Sequence, residues 1–330
     1  MTFAAQDAAS WLANPRATRE TLEAFGLATK HRLGQNFLVE DNIIRKIIRL
    51  AELTSDDVVL EVGPGLGTLT VAMLDYVRAV CSIEADRELE GVLATTCKEP
   101  HQDSFVLCMG DALKATPQLV GDAYASLGVF ADAQGKEASG ALIGPNKFVS
   151  NLPYQVAATL ILLFFQEFTT LEQAVVMVQA EVADRILAKP KTKAYGAYTA
   201  KLALYAQVSG RFEVAPGNFM PPPRVNSAVV RLERAPMTDP SGTGVLTSEQ
   251  LALATRVIDA AFAQRGKTIR NSMGASGFKK DTLERAFLAA HIEPTVRAEA
   301  LGVKDFVRLA MALAEGGAYG EETTFVHGRR

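Results

Sequence analysis

Asn151, Leu152, Pro153 and Tyr154 set an amide, a backbone carbonyl and an aromatic ring side by side, where a short apolar strand (Lys147 to Ser150) breaks into a turn before a strongly apolar helix. The Asn151 side-chain oxygen accepts hydrogen bonds, and Pro153 pushes Leu152 into an extended conformation whose carbonyl is turned away from helix geometry. Tyr154 offers a flat face to a ring. Asn and Pro are also ordinary turn formers, so these four residues alone describe equally well a turn with a buried tyrosine.

Other groups collect at similar places. The strand Val58 to Val62 runs directly into Gly63, Pro64, Gly65, Leu66 and Gly67, after which Thr68 to Tyr76 reads as a helix. Glycines let the backbone approach a ligand where a Cβ would collide, and the helix N-terminus offers unpaired N–H groups. The strand Ala79 to Ile83 ends at Glu84, 21 residues after Gly63, the distance at which dinucleotide-binding folds set an acid on the ribose hydroxyls. A third strand, Phe105 to Met109, ends in Gly110 and Asp111 and adds a carboxylate to the same rim. The G-x-G-x-G spacing is one residue short of the dinucleotide fingerprint, which makes a nicotinamide cofactor the weaker candidate.

Strands alternating with helices imply an α/β fold with a parallel, doubly wound sheet, whose ligands lie beyond the carboxyl ends of the strands at the switch point. Gly63, Glu84, Asp111 and Asn151 all fall at such ends. Ala174 to Val178 makes a fifth strand, and Val208 to Val214 pairs antiparallel with Ser227 to Leu232 across a loop stiffened by Pro221, Pro222 and Pro223. An aromatic on such a loop, Phe219, serves either as a stacking platform or as a core anchor.

The chain has 330 residues, enough for two domains. We expect a lead-in over 1–29 with a helix from Thr18 to Phe25, a sheet domain over 30–235, and a Pro/Gly/Ser/Thr-rich linker over 236–248. An all-helical domain over 249–314 and a loose tail over 315–330 come after it. The helix after a basic loop at Lys30 to Leu38 is expected to be capped by Asp41, and Gly121 to Pro145 reads as a long surface insert. Hydrophobic content of 48%, charged content of 22% and a mean hydropathy of +0.09 are those of a soluble protein. The longest apolar run, Val156 to Phe165, falls short of the roughly 18 to 20 residues of a membrane span. A basic leader followed by an apolar block is missing at the start, so a cytoplasmic location is expected. Three cysteines without Cys-x-x-Cys spacing and four scattered histidines argue against a metal or a disulfide. The formal charge of −3 hides a division, since Arg185 to Arg234 holds nine basic residues against Glu213 and Glu233. A basic segment on a mildly acidic chain is a footprint for a polyanion.

Six motifs, in order, carry a resemblance: LGQNFL (Leu33 to Leu38), EVGPGLGTLT (Glu61 to Thr70), GDAL (Gly110 to Leu113), NLPY (Asn151 to Tyr154), KAYG (Lys193 to Gly196) and FMPPPRVNSAVV (Phe219 to Val230). From about Thr18 to Met311 the chain resembles the KsgA family of ribosomal RNA adenine dimethyltransferases. The resemblance implies a Rossmann-like S-adenosylmethionine-dependent methyltransferase sheet with a smaller C-terminal all-helical domain. In that reading Asn36 and Leu38 line the cofactor's side with Gln35 in support, Gly63 admits the methionine part, Glu84 holds the ribose and Asp111 the adenine amino group. Asn151 stands between cofactor and target, with Leu152, Tyr154 and Phe219 around the extruded base. The implied substrate is a pair of adjacent adenosines near the 3′ end of small-subunit ribosomal RNA, each methylated twice at N6 within a pre-ribosomal particle. The implied enzyme works as a monomer, without metal or membrane.

The residue types suit that chemistry. An exocyclic adenine amine is a poor nucleophile because its lone pair is delocalised into the ring, and acceptors at Asn151 and the Leu152 carbonyl favour its pyramidal, nucleophilic form. Three departures from the family pattern stand out: Ser150 where Gly or Ala is usual, Ala197 and Tyr198 after KAYG, and the length of the insert. Rival readings are an Erm-like large-subunit RNA methyltransferase, which shares an Asn-x-Pro-aromatic motif, a non-catalytic ribosome-assembly or transcription factor on the same fold, and a nicotinamide oxidoreductase.

Overall fold

The structure, a computed structural model, describes residues 10–27, 36–129 and 143–315. Gln35 and most of the basic loop therefore lie outside the described residues, as do 130–142 of the expected insert and the tail beyond Glu315.

Nine strands are described: β1 Phe37–Leu38, β2 Val58–Val62, β3 Ala79–Glu84, β4 Phe105–Met109, β5 Lys147–Asn151, β6 Gln173–Gln179, β7 Ala206–Val214, β8 Phe219–Met220 and β9 Ser227–Arg234. Among them run α1 Pro15–Ala24, α2 Asp41–Ala51, α3 Thr68–Leu74, α4 Glu90–Leu93, α5 Pro117–Ser126, α6 Ala157–Glu167, α7 Ala180–Ile186 and α8 Ala197–Leu202. The C-terminal part holds α9 Ser248–Phe262, α10 Ile269–Ala275, α11 Lys280–Ala289 and α12 Val303–Glu315.

Seven strands form one sheet in the order β4-β3-β2-β5-β6-β9-β7. The first five are parallel, as the apolar runs of β2, β3, β5 and β6 require for burial on both faces. β9 and β7 then add antiparallel, β9 in unbroken register with β6 from Gln173↔Glu233 to Gln179↔Ser227. The chain leaves β2 towards β3 on one side and returns as β5 on the other, so the switch point lies between β2 and β5. Pairing across that point is short, only Val59↔Lys147 and Leu60↔Phe148. The small ladder β1–β8 pairs Leu38 with Phe219 and thereby ties the residues after the basic loop to the proline loop.

Local chemistry explains most element boundaries. In α2, Ile43, Ile44, Ile47 and Ile48 form the buried stripe, and the N-cap is Glu40 rather than Asp41, which instead pairs with Arg45 at 2.6 Å one turn on. The first helix starts at Pro15, earlier than the expected Thr18, because Asn14 accepts from the Ala17 N–H and Pro15 suits the first turn. Ala13 and Leu22 pack into the sheet's core, so this helix is part of the sheet unit. Part of the expected insert is also folded: Thr116 caps α5, and the buried Tyr124 hydroxyl donates to the Val59 carbonyl at 2.7 Å. Thr247 and Gln250 close a reciprocal cap at the start of α9, which ends the linker at Ser248.

The chain divides into two compact units. One holds the described residues up to Asp184 with Ala206–Arg234, the other Arg185–Tyr205 with the described residues from Ala235 on. Order along the chain puts Arg185–Tyr205 in the sheet domain, and the fold corrects this. The segment joins the helical unit because Tyr195, Ala200 and Leu204 are buried against Leu253, Val257, Phe287 and Phe306, and the Tyr195 hydroxyl donates to the Leu301 carbonyl at 2.8 Å.

At Gly67 φ is +90°, and a Cβ would stand 2.4 Å from the buried Cys97 sulfur. Gly67→Ala is therefore expected to destabilise the protein by about 3 kcal/mol, through left-handed strain and overpacking together. Denaturant melting that finds a loss under about 1 kcal/mol contradicts this account of the loop.

Candidate active site

Beyond the carboxyl ends of β2, β3, β4 and β5 opens a cavity of about 250 Å³. Its wall contains Asn36 and Leu38 next to β1, Gly63 and Gly65 from the glycine loop, Glu84, Asp111, and Asn151, Leu152 and Tyr154. Two loops meet on this wall: φ at Gly63 is +67°, and a Cβ there would come within 3.2 Å of the Pro153 ring, so only glycine lets the glycine loop lie against the Asn151–Tyr154 turn.

Glu84 is held by the backbone. Its carboxylate accepts from the Asp86 N–H at 2.9 Å and the Gly65 N–H at 3.4 Å. Burial pushes its pKa above the ordinary carboxylate range, and the backbone bonds oppose that rise. Asp111 is exposed at the rim, where it accepts from the Leu113 N–H at 3.0 Å and caps a 3₁₀ turn. Among the described residues nothing donates to the Asn151 side chain or the Leu152 carbonyl, so both acceptors remain for a ligand. Tyr154 is half-buried and lines the cavity, and its hydroxyl lies 2.6 Å from the hydroxyl of the fully buried Ser227, which fixes the ring's outer edge.

Phe219 is not on this wall. It is 3% exposed and belongs to the sheet unit's hydrophobic core. Its β8 pairing with Leu38 turns it inward, so of the two readings open for this ring the structure contains the core anchor.

Three groups that the motifs do not single out matter here. Ser150 donates to the Val62 carbonyl at 2.6 Å and accepts from the Val62 N–H at 3.3 Å, closing the gap between β2 and β5 beyond their short pairing. Ser227 anchors Tyr154. Glu61, 1% exposed, lines the cavity and accepts from the Thr70 and Ser82 hydroxyls, both at 2.7 Å. Desolvation pushes the Glu61 carboxyl from 4.5 up to about 7, against those two bonds and with some help from Glu84. An acid in the middle of an apolar strand was the available signal for Glu61. Ser150 stood out only as a departure from the family pattern, and Ser227 gave no signal, because the partners of both are distant in sequence.

The basic segment also reads differently once folded. Arg211 pairs with Asp184 and Glu213 at 2.7 and 2.5 Å, and Arg231 with Glu52 and Glu233 at 2.9 Å each. Arg234 donates to the Phe165, Phe168 and Leu171 carbonyls at the end of α6. In the second unit Lys201 pairs with Asp259 at 2.7 Å. Lys189, Lys191 and Lys193 stand exposed on the loop before α8, and Arg224 is exposed on the proline loop.

Residues 26–315 match the ribosomal RNA adenine dimethylase family. The chain belongs to this family. A ribosomal RNA small subunit methyltransferase A of Kineococcus radiotolerans is 38% identical over 315 residues, covering 95% of each chain. Its counterpart in Acidothermus cellulolyticus is 38% identical over 297 residues, 89% of this chain and 92% of the relative. Among solved structures, a dimethyladenosine transferase from Plasmodium falciparum superposes with a TM-score of 0.65 at 23% identity, over 84% of this chain and 96% of that one. The 23S rRNA methyltransferase ErmE does so with a TM-score of 0.57 at 25% identity, over 84% and 100%.

As a member of this family the protein is a methyltransferase that uses S-adenosylmethionine. The cavity fits that cofactor. Among the described residues its acidic lining is Glu61, Glu84, Asp86 and Asp111, and that lining includes no lysine, arginine or histidine. That donor set matches a cation with ribose hydroxyls and an amino group to place.

The raised Glu61 carboxyl has a consequence for the protein without ligand. Between about 4.5 and about 7 the folded state holds a proton that the unfolded state has released, so this group's contribution to stability falls as pH rises across that window. Glu61→Gln is expected to raise the unfolding free energy by up to about 3 kcal/mol at pH 8 and to leave it unchanged at pH 4. Equal melting of the two proteins at both pH values contradicts a buried, proton-retaining Glu61.

Proposed function

We propose that this protein dimethylates the N6 amines of two adjacent adenosines near the 3′ end of small-subunit ribosomal RNA, acting as a cytoplasmic monomer on a pre-ribosomal particle. The carrying observation is the pair of acceptors without a donor among the described residues, the Asn151 amide oxygen and the Leu152 carbonyl, on the wall of an acid-lined cavity that Tyr154 also lines. The small subunit, rather than the large, is favoured by relatives at 38% identity that carry that name, against 25% for ErmE.

S-adenosylmethionine, when bound, supplies an electrophilic methyl on a sulfonium leaving group. The chain's own task is then to hold the amine. Asn151 and the Leu152 carbonyl accept its two hydrogens, which concentrates the lone pair on nitrogen and aims it into the cavity. Tyr154, braced by Ser227, stacks on the extruded base, a contact of about 1 to 3 kcal/mol. The Asn151 side chain accepts a hydrogen bond but is no base, so the proton leaves to solvent after transfer. A first methyl replaces one of the amine's hydrogens, so for the second transfer one acceptor holds the remaining hydrogen and the other makes room for the methyl.

The helical unit is the proposed RNA grip, through Lys191 and Lys193 with the neighbouring Lys189, and through Arg265, Lys267 and Lys279. Phosphate contacts of this kind position structured RNA without reading its sequence.

Incubated with under-methylated small subunits, the protein is expected to place four methyls on two neighbouring adenosines, and mapping them to large-subunit RNA would overturn the proposal. Asn151→Ala is expected to lower turnover by at least about 100-fold while leaving RNA affinity within about twofold; near-normal turnover removes the role given to Asn151. Affinity for the particle should fall by about an order of magnitude or more between about 50 and 200 mM salt, with a shallower slope after Lys189, Lys191 and Lys193 are changed to Gln. A salt-independent affinity contradicts the phosphate grip.

A further inference from the structure

Glu61 is the most deeply placed acid on the cavity wall, and the family motif that contains it does not by its glycines explain a carboxyl there. Both hydroxyl bonds, from Thr70 on α3 and Ser82 on β3, land on Oε2, which leaves Oε1 to whatever enters the cavity. The charged and titratable neighbours are Glu84 on β3 and the Cys97 thiol, whose own pKa is pushed up to about 12 by burial and by Glu61. No lysine, arginine or histidine among the described residues pairs with Glu61. A buried carboxyl one residue from the end of β2, without a counter-charge among the described residues and on a wall whose described residues include no basic one, is suited to a cation.

We propose that Glu61 is the counter-ion of the methyl donor's positive charge, so that binding S-adenosylmethionine drives a proton off the Glu61 carboxyl and loss of the sulfonium lets it return. The proposal rests on the cofactor reading above. The exchange is balanced: the neutral acid plus a cationic ligand becomes a carboxylate beside the cation, and the proton goes to the buffer. After methyl transfer the ligand's sulfur is a neutral thioether. The electrostatic reason for an ionised Glu61 weakens, the carboxyl takes up a proton, and the spent product is held less firmly than the donor. At neutral pH a carboxyl with a pKa of about 7 stands near the midpoint of that exchange.

Calorimetric titration of the full chain without RNA tests this. Performed at about pH 6.5, where both ligands keep their α-amino groups protonated, in two buffers of different ionisation enthalpy, it counts the protons released. S-adenosylmethionine is expected to release about half a proton or more, and S-adenosylhomocysteine distinctly less. Glu61→Gln, which still accepts from Thr70 and Ser82, should abolish the difference between the two ligands. It should also lose about tenfold in affinity for the donor and under about threefold for the thioether at about pH 8. Equal proton counts for the two ligands on the wild-type chain overturn the proposal without any variant, and so does a difference that survives in Glu61→Gln. If neither ligand binds, the cofactor reading falls and takes this proposal with it, an outcome distinct from binding with equal counts.

Discussion

The structure depends on a parting of strands. β2 and β5 are neighbours in the sheet, yet they pair only at Val59↔Lys147 and Leu60↔Phe148. Beyond those pairs each strand needs another outlet for its backbone groups, since a buried N–H or C=O left unpaired costs about 1 to 3 kcal/mol. Ser150 provides one by bonding both the N–H and the carbonyl of Val62. The hydroxyl links the two strands where their main-chain pairing has stopped. The glycine loop and the Asn151–Tyr154 turn then emerge side by side with Pro153 seated on Gly63.

The gap acts electrostatically as much as sterically. The carboxyls of Glu61 near the end of β2 and Glu84 at the end of β3 line this space and are buried, and there they resist ionisation. Hydroxyls and backbone N–H groups keep them in place without neutralising them. A site built this way favours a cationic ligand before any specific contact is formed. Asn151 and the Leu152 carbonyl, the acceptors proposed for the incoming amine, stand on the turn from β5, where the Tyr154 hydroxyl is bonded to Ser227 of β9. In the proposed reading the donor and target sides thus rest on different strands of one sheet.

Much of this was legible along the chain. Apolar, β-branched runs ending in Gly63, Glu84, Asp111 and Asn151 announced parallel strands with a crevice at their carboxyl ends, because residues buried on both faces must be apolar and polar groups are tolerated only where the strand stops. The helical character of the part after Ser248 was legible from its periodicity. Boundaries set by caps were harder: Asn14 and Glu40 outcompeted Thr18 and Asp41 through bonds to the backbone two or three residues on. Chain order assigns Arg185–Tyr205 to the sheet, whereas Tyr195 and Leu204 chose the helical core by burial.

The amino-acid sequence by itself determined the fold class, the family and the residues of the cavity's wall, because these depend on local spacing: a glycine loop after a strand, an acid at a strand's end, an amide before a proline. Tertiary structure alone decided how charge and aromatic groups were used. Arg211, Arg231 and Arg234 look like a basic surface in sequence and are consumed by carboxylates and helix-end carbonyls in the fold. Phe219 looks like a wall of the base site and is instead packed into the core by its pairing with Leu38. Ser150, Ser227 and Glu61 have partners far off in the chain, and only folding brings those partners within bonding distance and removes the water that would otherwise set their chemistry.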